Sequence, residues 1–273
     1  MTHREFAPDP ILRRDIRSFW MIEETPEEFN RDPVVPDSYT ELVISVGAPI
    51  ILAEMNGVRT ELPRIFFTQI QKDPINLKAQ GDAQFLAVSF YPWTAHALFD
   101  LPDPENQDMI IMLDGQWQRL AQSIAEAVQH SGYEEGLARL QQFMIDAYCR
   151  TLPDITPVRS AGEQLYASKG QFDMDQLAQD SCLSLRQLER RFKQLTGVTP
   201  KSLARLIRFE ATRNRLFYDP TMSILDLVHE FGYTDQAHLT HEFKAFMRKT
   251  PGQFVRHMLN YPRTIEVGFL QYA

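Results

Sequence analysis

The last third of the chain states one short pattern twice, about fifty residues apart, and few folds can accommodate that. Leu177-Ala178 matches Leu227-Val228 and Leu183-Ser184 matches Tyr233-Thr234, both at an offset of 50. Phe192-Lys193 matches Phe243-Lys244 and Thr199-Pro200 matches Thr250-Pro251 at an offset of 51. A one-residue slip inside the second helix of each copy accounts for the change. Two copies are too few for a solenoid, which buries its core only by stacking three or more repeats. They make a pair of similar modules.

Capping signals divide each module into helices. Asp173-x-x-Gln176 opens a short helix and Ser184-x-x-Gln187 a longer one, with Asp180-Ser181-Cys182-Leu183 as the turn between them. Thr199-Pro200 puts a capping hydroxyl before a proline that suits the first helical turn, so a third helix starts near Lys201. Its inward face is Leu203, Leu206, Ile207 and Ala211. Lys201, Arg205, Arg208, Arg213 and Arg215 fall largely outward, and Asp219-Pro220 ends it. Ser223-x-x-Asp226 opens the second module, Phe231-Gly232-Tyr233 makes its turn, and Thr234 is the expected cap of a helix running to about Met247. A last helix follows Thr250-Pro251.

A short helix, a tight turn and a second helix with basic and amide residues in its first two turns is helix-turn-helix geometry. Such a second helix lies in the major groove and presents its N-terminal residues to base edges. In the first module Arg186, Glu189 and Arg190 share one face by their spacing of three and four. The arginines suit guanine and the glutamate suits cytosine. Orientation of the arginines by Glu189 is an equal alternative. In the second module Gln236 suits adenine, and Ala237 and the Thr240 methyl suit the thymine methyl, with His241 beside them. Leu188, Phe192, Leu239 and Phe243 face the other way, toward each module's core. Ser184, Lys193, Lys201, Arg205, Thr234 and Lys244 are the candidates for phosphate contact.

Charge supports the same use. The chain carries 28 basic and 36 acidic residues, a net of −8. Residues 1–157 hold 12 of the basic and 24 of the acidic ones, whereas 158–260 hold 15 and 11. Between 184 and 216 there are 9 basic residues against 2 acidic ones. Positive charge is thus concentrated where a phosphate backbone would need it.

At these residues the chain resembles the AraC/XylS family of bacterial regulators, over about residues 160–257. The matching stretches are Leu188-Glu189-Arg190-Arg191-Phe192-Lys193, Thr196-Gly197-Val198-Thr199-Pro200-Lys201, Phe231-Gly232-Tyr233-Thr234-Asp235-Gln236-Ala237-His238-Leu239, and Phe243-Lys244 with Thr250-Pro251-Gly252-Gln253-Phe254. The resemblance implies seven helices, with the helix after Pro200 bridging the two modules and setting their recognition helices about one DNA turn apart. Two positions depart from the pattern. Cys182 stands where the first turn often has glycine, and His241 where some relatives have arginine. A weaker reading of its half-site by the second module would follow from His241.

The fold expected is α+β. Residues 1–152 form the first domain: a small antiparallel β-sheet or barrel with a helical hairpin. Residues 158–260 form the second, an all-helical domain with two helix-turn-helix motifs. The boundary is expected at Thr151–Pro157, where two prolines disfavour a continuous helix and the charge changes sign. Strand runs occur at 41–46, 50–52, 64–68 and 84–90. Trp117, Leu120, Ala121, Ile124 and Val128 then share one helical face, and Leu137, Leu140, Met144 and Ala147 another after Gly132. This part resembles the cupin-like sensor domains of such regulators, on Arg14-x-x-x-x-Phe19-Trp20 and Val35-Pro36-Asp37-Ser38-Tyr39-Thr40-Glu41-Leu42-Val43. That resemblance implies binding of an unnamed small-molecule effector, dimerisation through the hairpin, or both. Trp20, Phe67, Phe85, Phe90, Tyr91 and Trp93 either line a pocket or fill the core.

Enzymatic readings find little support. His3, His96 and His130 are too widely spaced for a catalytic cupin metal site, and His238, His241 and Glu242 lack a third ligand motif. A DNA-repair methyltransferase fusion would need a cysteine cluster near the N-terminus, yet the two cysteines are Cys149 and Cys182. The expected protein is a DNA-binding regulator, not an enzyme, with no cofactor. Double-stranded DNA is its main partner, with an effector, RNA polymerase and a second copy of the chain as further ones. A ligand-processing or DNA-modifying enzyme on the same DNA-binding domain is the alternative. No apolar run is long enough to span a membrane and the start does not read as a signal peptide, so a cytoplasmic location is expected.

Overall fold

The computed structural model describes residues 2–47, 50–55, 58–99, 101, 102, 104, 110–149 and 154–260. The N-terminal part contains strands β1 (Thr2–Phe6), β2 (Ile16–Glu24), β3 (Thr40–Ser45), β4 (Ile50–Met55), β5 (Val58–Glu61), β6 (Ile65–Thr68), β7 (Asn76–Gln80), β8 (Ala83–Phe90) and β9 (Ile110–Met112). Short helices α1 (Pro26–Phe29) and α2 (Ala95–Phe99) interrupt them, and the long α3 (Gln116–Ser131) and α4 (Tyr133–Tyr148) follow. Every strand pairing is antiparallel: one sheet runs β1-β2-β8-β3-β6-β9 and the other β5-β4-β7.

Strand periodicity explains the layering. In β8, Leu86, Val88 and Phe90 point to one face, where the α3–α4 hairpin packs through Ala121, Ile124, Leu140 and Met144. Phe85 and Ala87 point to the other face and meet Ile51, Ala53 and Ala79 of the small sheet. β8 is therefore covered on both faces, which is why it reads as an almost unbroken apolar run rather than an alternating one. Phe67, Phe85, Phe90 and Trp93 are buried core residues.

The C-terminal part is all helical: α5 (Thr156–Ala167), α6 (Met174–Asp180), α7 (Leu185–Thr196), α8 (Pro200–Tyr218), α9 (Ile224–Phe231), α10 (Gln236–Met247) and α11 (Pro251–Asn260). Helices α6 and α7 form the first helix-turn-helix unit, α9 and α10 the second, and α8 joins them. One apolar core runs through both units and includes Leu188, Phe192, Leu206, Phe209, Leu239 and Phe243. The expected start near 158 falls inside α5, where Pro157 sits in the first turn and needs no N–H partner. The rest of the expected linker, residues 151–153, lies outside the described residues.

The two parts meet along a seam that the sequence did not announce. The same apolar core takes in Ile70 and Trp93 from the N-terminal part. Trp93 stacks on Tyr91 at 5.1 Å and meets the Tyr166 ring at 6.0 Å, edge to face. Gly162 of α5 lies so close that a Cβ there would fall 1.9 Å from the Trp93 ring.

Candidate nucleic-acid interface

Local chemistry sets the start of each candidate recognition helix. The Ser184 hydroxyl accepts from Gln187 N at 3.3 Å while Gln187 returns a bond to Ser184, a reciprocal capping box at the start of α7. Thr199 accepts from Ser202 N at 3.1 Å and starts α8, and Ser223 accepts from Asp226 N at 3.1 Å and starts α9. The cap of α10 is one residue later than the sequence implied. Asp235, not Thr234, accepts from His238 N, at 2.7 Å. The short carboxylate also places negative charge at the positive end of the helix, which a threonine cannot.

In the turn of the first unit, Leu183 N donates to Ala178 O at 3.0 Å. In the second, Tyr233 N donates to Val228 O at 3.0 Å. These are the same six-residue helix closure. The left-handed residue that makes it possible is Cys182 (φ 54°) in the first and Gly232 (φ 65°) in the second.

Leu188, Phe192, Leu239 and Phe243 are fully buried, as their positions on the helices require. Arg186, Glu189 and Arg190 of α7 are exposed, and so are Gln236, Ala237 and His241 of α10, with Thr240 half-buried beside them. The sequence-derived base-facing residues thus share the solvent side of two helices whose other sides are fixed by packing. Glu189 forms no ion pair with Arg186 or Arg190 among the described residues. Of the phosphate candidates, Ser184, Lys193, Lys201, Thr234 and Lys244 are exposed.

Arg205 and Arg208 depart from the expected outward face. Glu242, on α10 and 2% exposed, receives Arg205 Nε at 2.6 Å and Arg208 Nη2 at 3.1 Å. Arg208 also lies 4.7 Å over the Tyr233 ring. His238 Nδ1 accepts from Thr234 N at 3.3 Å, so in the neutral ring the proton sits on Nε2, 3.6 Å from Glu242. Tyr233, packed in this cluster, has its phenol pushed up to about 12 by burial. The cluster fastens the second recognition helix to the bridging helix. Its sequence signal was a lone glutamate at a position the helical period assigns to the interior, between Leu239 and Phe243. Among the described residues no group of three or more His, Cys, Asp or Glu side chains is placed to hold a metal.

Residues 177–257 match the helix-turn-helix domain family. The C-terminal part is an AraC-type helix-turn-helix domain. Residues 4–112, ahead of the AraC-type domain, match a family described as a domain of unknown function (DUF6597). No curated protein sequence matches the chain. Among solved structures, ToxT from Vibrio cholerae O395 aligns with 88% of this chain and 98% of its own, at 11% identity and a TM-score of 0.51. ToxT from the same strain bound to (E)-4-(8-methylnaphthalen-1-yl)but-3-enoic acid aligns with 86% of this chain and 97% of its own, at 11% identity and a TM-score of 0.50. An AraC-type regulator from Chromobacterium violaceum is 24% identical over 39% of this chain and 95% of its own, at a TM-score of 0.35. Most of the chain therefore shares the ToxT fold, with antiparallel sheets preceding the AraC-type domain.

Proposed function

We propose that this protein is a sequence-specific transcription regulator that places α7 and α10 in successive major grooves and answers to a small molecule at its N-terminal domain. The observation that carries this reading is the pairing of two capped helices. Each is locked by buried leucine and phenylalanine on one side and presents Arg186, Glu189 and Arg190, or Gln236, Ala237, Thr240 and His241, on the other. Among the described residues the Arg186 and Arg190 side chains make no ion pair or hydrogen bond, so nothing must be broken before they meet guanine.

Phosphate contact falls to Ser184, Lys193, Lys201, Thr234 and Lys244, with Arg205 sharing its guanidinium between Glu242 and the backbone. Lys201, in the first turn of α8, joins its charge to the helix N-terminal amides. The small-molecule arm is motivated by ToxT, which has been seen with an aryl-substituted butenoic acid. RNA polymerase and a second copy of the chain are the further partners of this reading, and the cytoplasm is its compartment.

Duplexes selected from a random pool by the full chain test it. Arg190→Ala is expected to weaken binding to the selected site by about 1–3 kcal/mol and to flatten discrimination at one base pair. Lys201→Ala is expected to weaken selected and scrambled duplexes equally and to lower the slope of log affinity against log salt by about one unit. Parent affinity, preference and salt slope in both variants would overturn the reading.

A further inference from the structure

The second reading unit is fastened to the N-terminal domain by charge, at the end of its recognition helix. Asp32 lies between α1 and β3, and its Oδ1 receives Lys249 Nζ at 3.2 Å. Its Oδ2 lies 2.9 Å from Nε2 of His257 on α11. Beside it, Asp73 pairs with Arg248, the residue that caps α10. The two acidic residues stand on one platform. Val34 and Ile75 exchange backbone hydrogen bonds of 2.8 and 2.9 Å, and Asp32 and Asp73 each precede that bridge by two residues. Asn30 clamps the platform to β7, donating to Ala79 O at 3.1 Å and accepting from Ala79 N at 2.8 Å.

We propose that the Asp32 carboxylate is a positioning group for the second reading unit: gripped by Lys249 and His257, it couples the N-terminal domain to the end of recognition helix α10. This rests on the reading of both units as DNA readers.

Burial separates Asp32 from its neighbour. The side chains of Asp73 and Arg248 are 58% and 63% exposed, and a pair in that setting contributes little. Asp32 is 16% exposed, and its partners Lys249 and His257 31% and 25%. Partial burial alone would raise the Asp32 carboxyl, but its bonds to His257 and to the Lys249 ammonium outweigh that and hold it below the usual aspartate range. The backbone points the same way. At the end of α7 the left-handed cap is Gly197 (φ 75°), the conformation glycine adopts freely. At the matching end of α10 it is Arg248 (φ 55°), a conformation that strains a residue with a Cβ. The strained cap puts a long cation, followed by Lys249, on the acidic platform. Net charge agrees, since residues 1–157 carry twice as many acidic as basic residues and 158–260 an excess of basic ones. Movement of the 30–35 segment is thereby transmitted to α10 through ion pairs with two discrete arrangements, made or broken, which is the element that coupling between sites requires.

Amide hydrogen exchange on the full chain without DNA tests the coupling. Asp32→Lys is expected to speed exchange across residues 248–260 about tenfold, within the usual range for coupled sites, and to leave α5 and α6 at the parent rate. Adding Lys249→Asp, which restores the pair with its charges exchanged, is expected to recover the parent pattern. Asp32→Asn gives the same pattern at smaller amplitude and serves if the reversal does not fold. Parent exchange in 248–260, or failure of the exchanged pair to recover it, overturns the coupling whether or not the protein binds DNA. On a selected duplex, Asp32→Lys is expected to change discrimination at the base pairs read by α10 and not at those read by α7. Unchanged discrimination at both would overturn the positioning role while leaving DNA reading intact.

Discussion

The two helix-turn-helix units are copies in their turn geometry and opposites in how they are held. Each has a left-handed residue in its turn and another at the end of its recognition helix. In the first unit these are Cys182 and Gly197, in the second Gly232 and Arg248. Glycine and strained residue have changed places. The fastening to the N-terminal domain differs as well. Around α5 the first unit is joined by rings: Tyr39, Tyr91, Trp93 and Tyr166 pack with centroids 5.1–6.0 Å apart, and Arg159 reaches buried Asp15 at 2.7 Å. The end of the second unit is joined by Arg248, Lys249 and His257. Ring packing is short-ranged and insensitive to salt, whereas ion pairs weaken with salt and with single charge changes. The ring end, whose one buried ion pair is shielded from solvent, is therefore expected to resist salt better than the end held by Arg248, Lys249 and His257.

The largest expected effect is at the ring end. Trp93 is fully buried, and Trp93→Ala is expected to cost about 3–5 kcal/mol. Denaturant unfolding checks the cost, and hydrogen exchange checks the place, with α5 losing protection and 248–260 keeping it. Gly162→Leu alone should also destabilise, because its first carbon already overlaps the Trp93 ring. Placed in the Trp93→Ala chain, it should recover part of the loss by filling the cavity. If Gly162→Leu makes Trp93→Ala worse, the two residues do not share that space.

Glu242 tests the hinge between bridge and second reader. Glu242→Ala leaves Arg205 and Arg208 facing a vacated pocket, and because Arg205 is partly solvated the expected loss is about 2 kcal/mol. At the matching position of α7 stands an exposed arginine, Arg191, so half-site discrimination should fall for α10 only. Equal loss at both half-sites would show that the cluster serves the whole domain.

Acid should separate the two ends of the seam by sign. Asp37, beside the hydroxyl and amide that Ser38 gives to Glu210 at 2.6 and 3.2 Å, has its carboxyl pushed well up by burial and by Glu41 and Glu210. Burial likewise raises Glu41, against its hydrogen bonds from Ser89 and Trp20. A carboxyl raised in the folded state binds protons before the unfolded chain does, so its destabilising charge is relieved as pH falls toward the usual carboxylate range. Asp32 is lowered, so its contribution is full above that range and is lost as pH falls from it through the depressed folded value. Mild acid is therefore expected to raise protection at α5 and α8 before any loss at 248–260. Loss at the Asp32 end first would reverse the assignment.

What the sequence made legible follows from period and capping. The four runs assigned to strands are strands, the two apolar faces after residue 115 are the α3–α4 hairpin, and the residues proposed to face bases are solvent-exposed or half-buried because buried Leu188, Phe192, Leu239 and Phe243 dictate the opposite side. Strand β2 was missed, since Arg17, Ser18 and Glu23 interrupt its apolar residues. The seam was missed entirely. Asp15, Asp32, Ser38 and Glu210 are ordinary surface residues in any local window, and contacts more than a hundred residues apart give them their partners across the seam. Gly162 carried no turn signal either, because its role is to make room for Trp93 within a helix. Local patterns specify elements, and long-range complementarity specifies how those elements are joined.

The smallest expected effect tests the exchange of glycine and strained residue itself. Cys182 is exposed and left-handed, so its side chain gives little in return for the conformation. Cys182→Gly removes that strain but adds freedom to the unfolded chain, and the net gain expected is about 0.5 kcal/mol. Arg248→Gly removes similar strain and gives up an exposed ion pair worth well under 1 kcal/mol, so global stability should again hold or rise by about 0.5 kcal/mol. The two substitutions should then differ in a second observable. Cys182→Gly leaves exchange at 248–260 at the parent rate, because the first turn makes no contact with the acidic platform. Arg248→Gly speeds it, by less than Asp32→Lys does, because Lys249 and His257 still hold Asp32. Equal exchange in the two glycine variants would mean that the strained arginine contributes nothing to the latch, and the contrast between the helix ends would then be one of sequence alone.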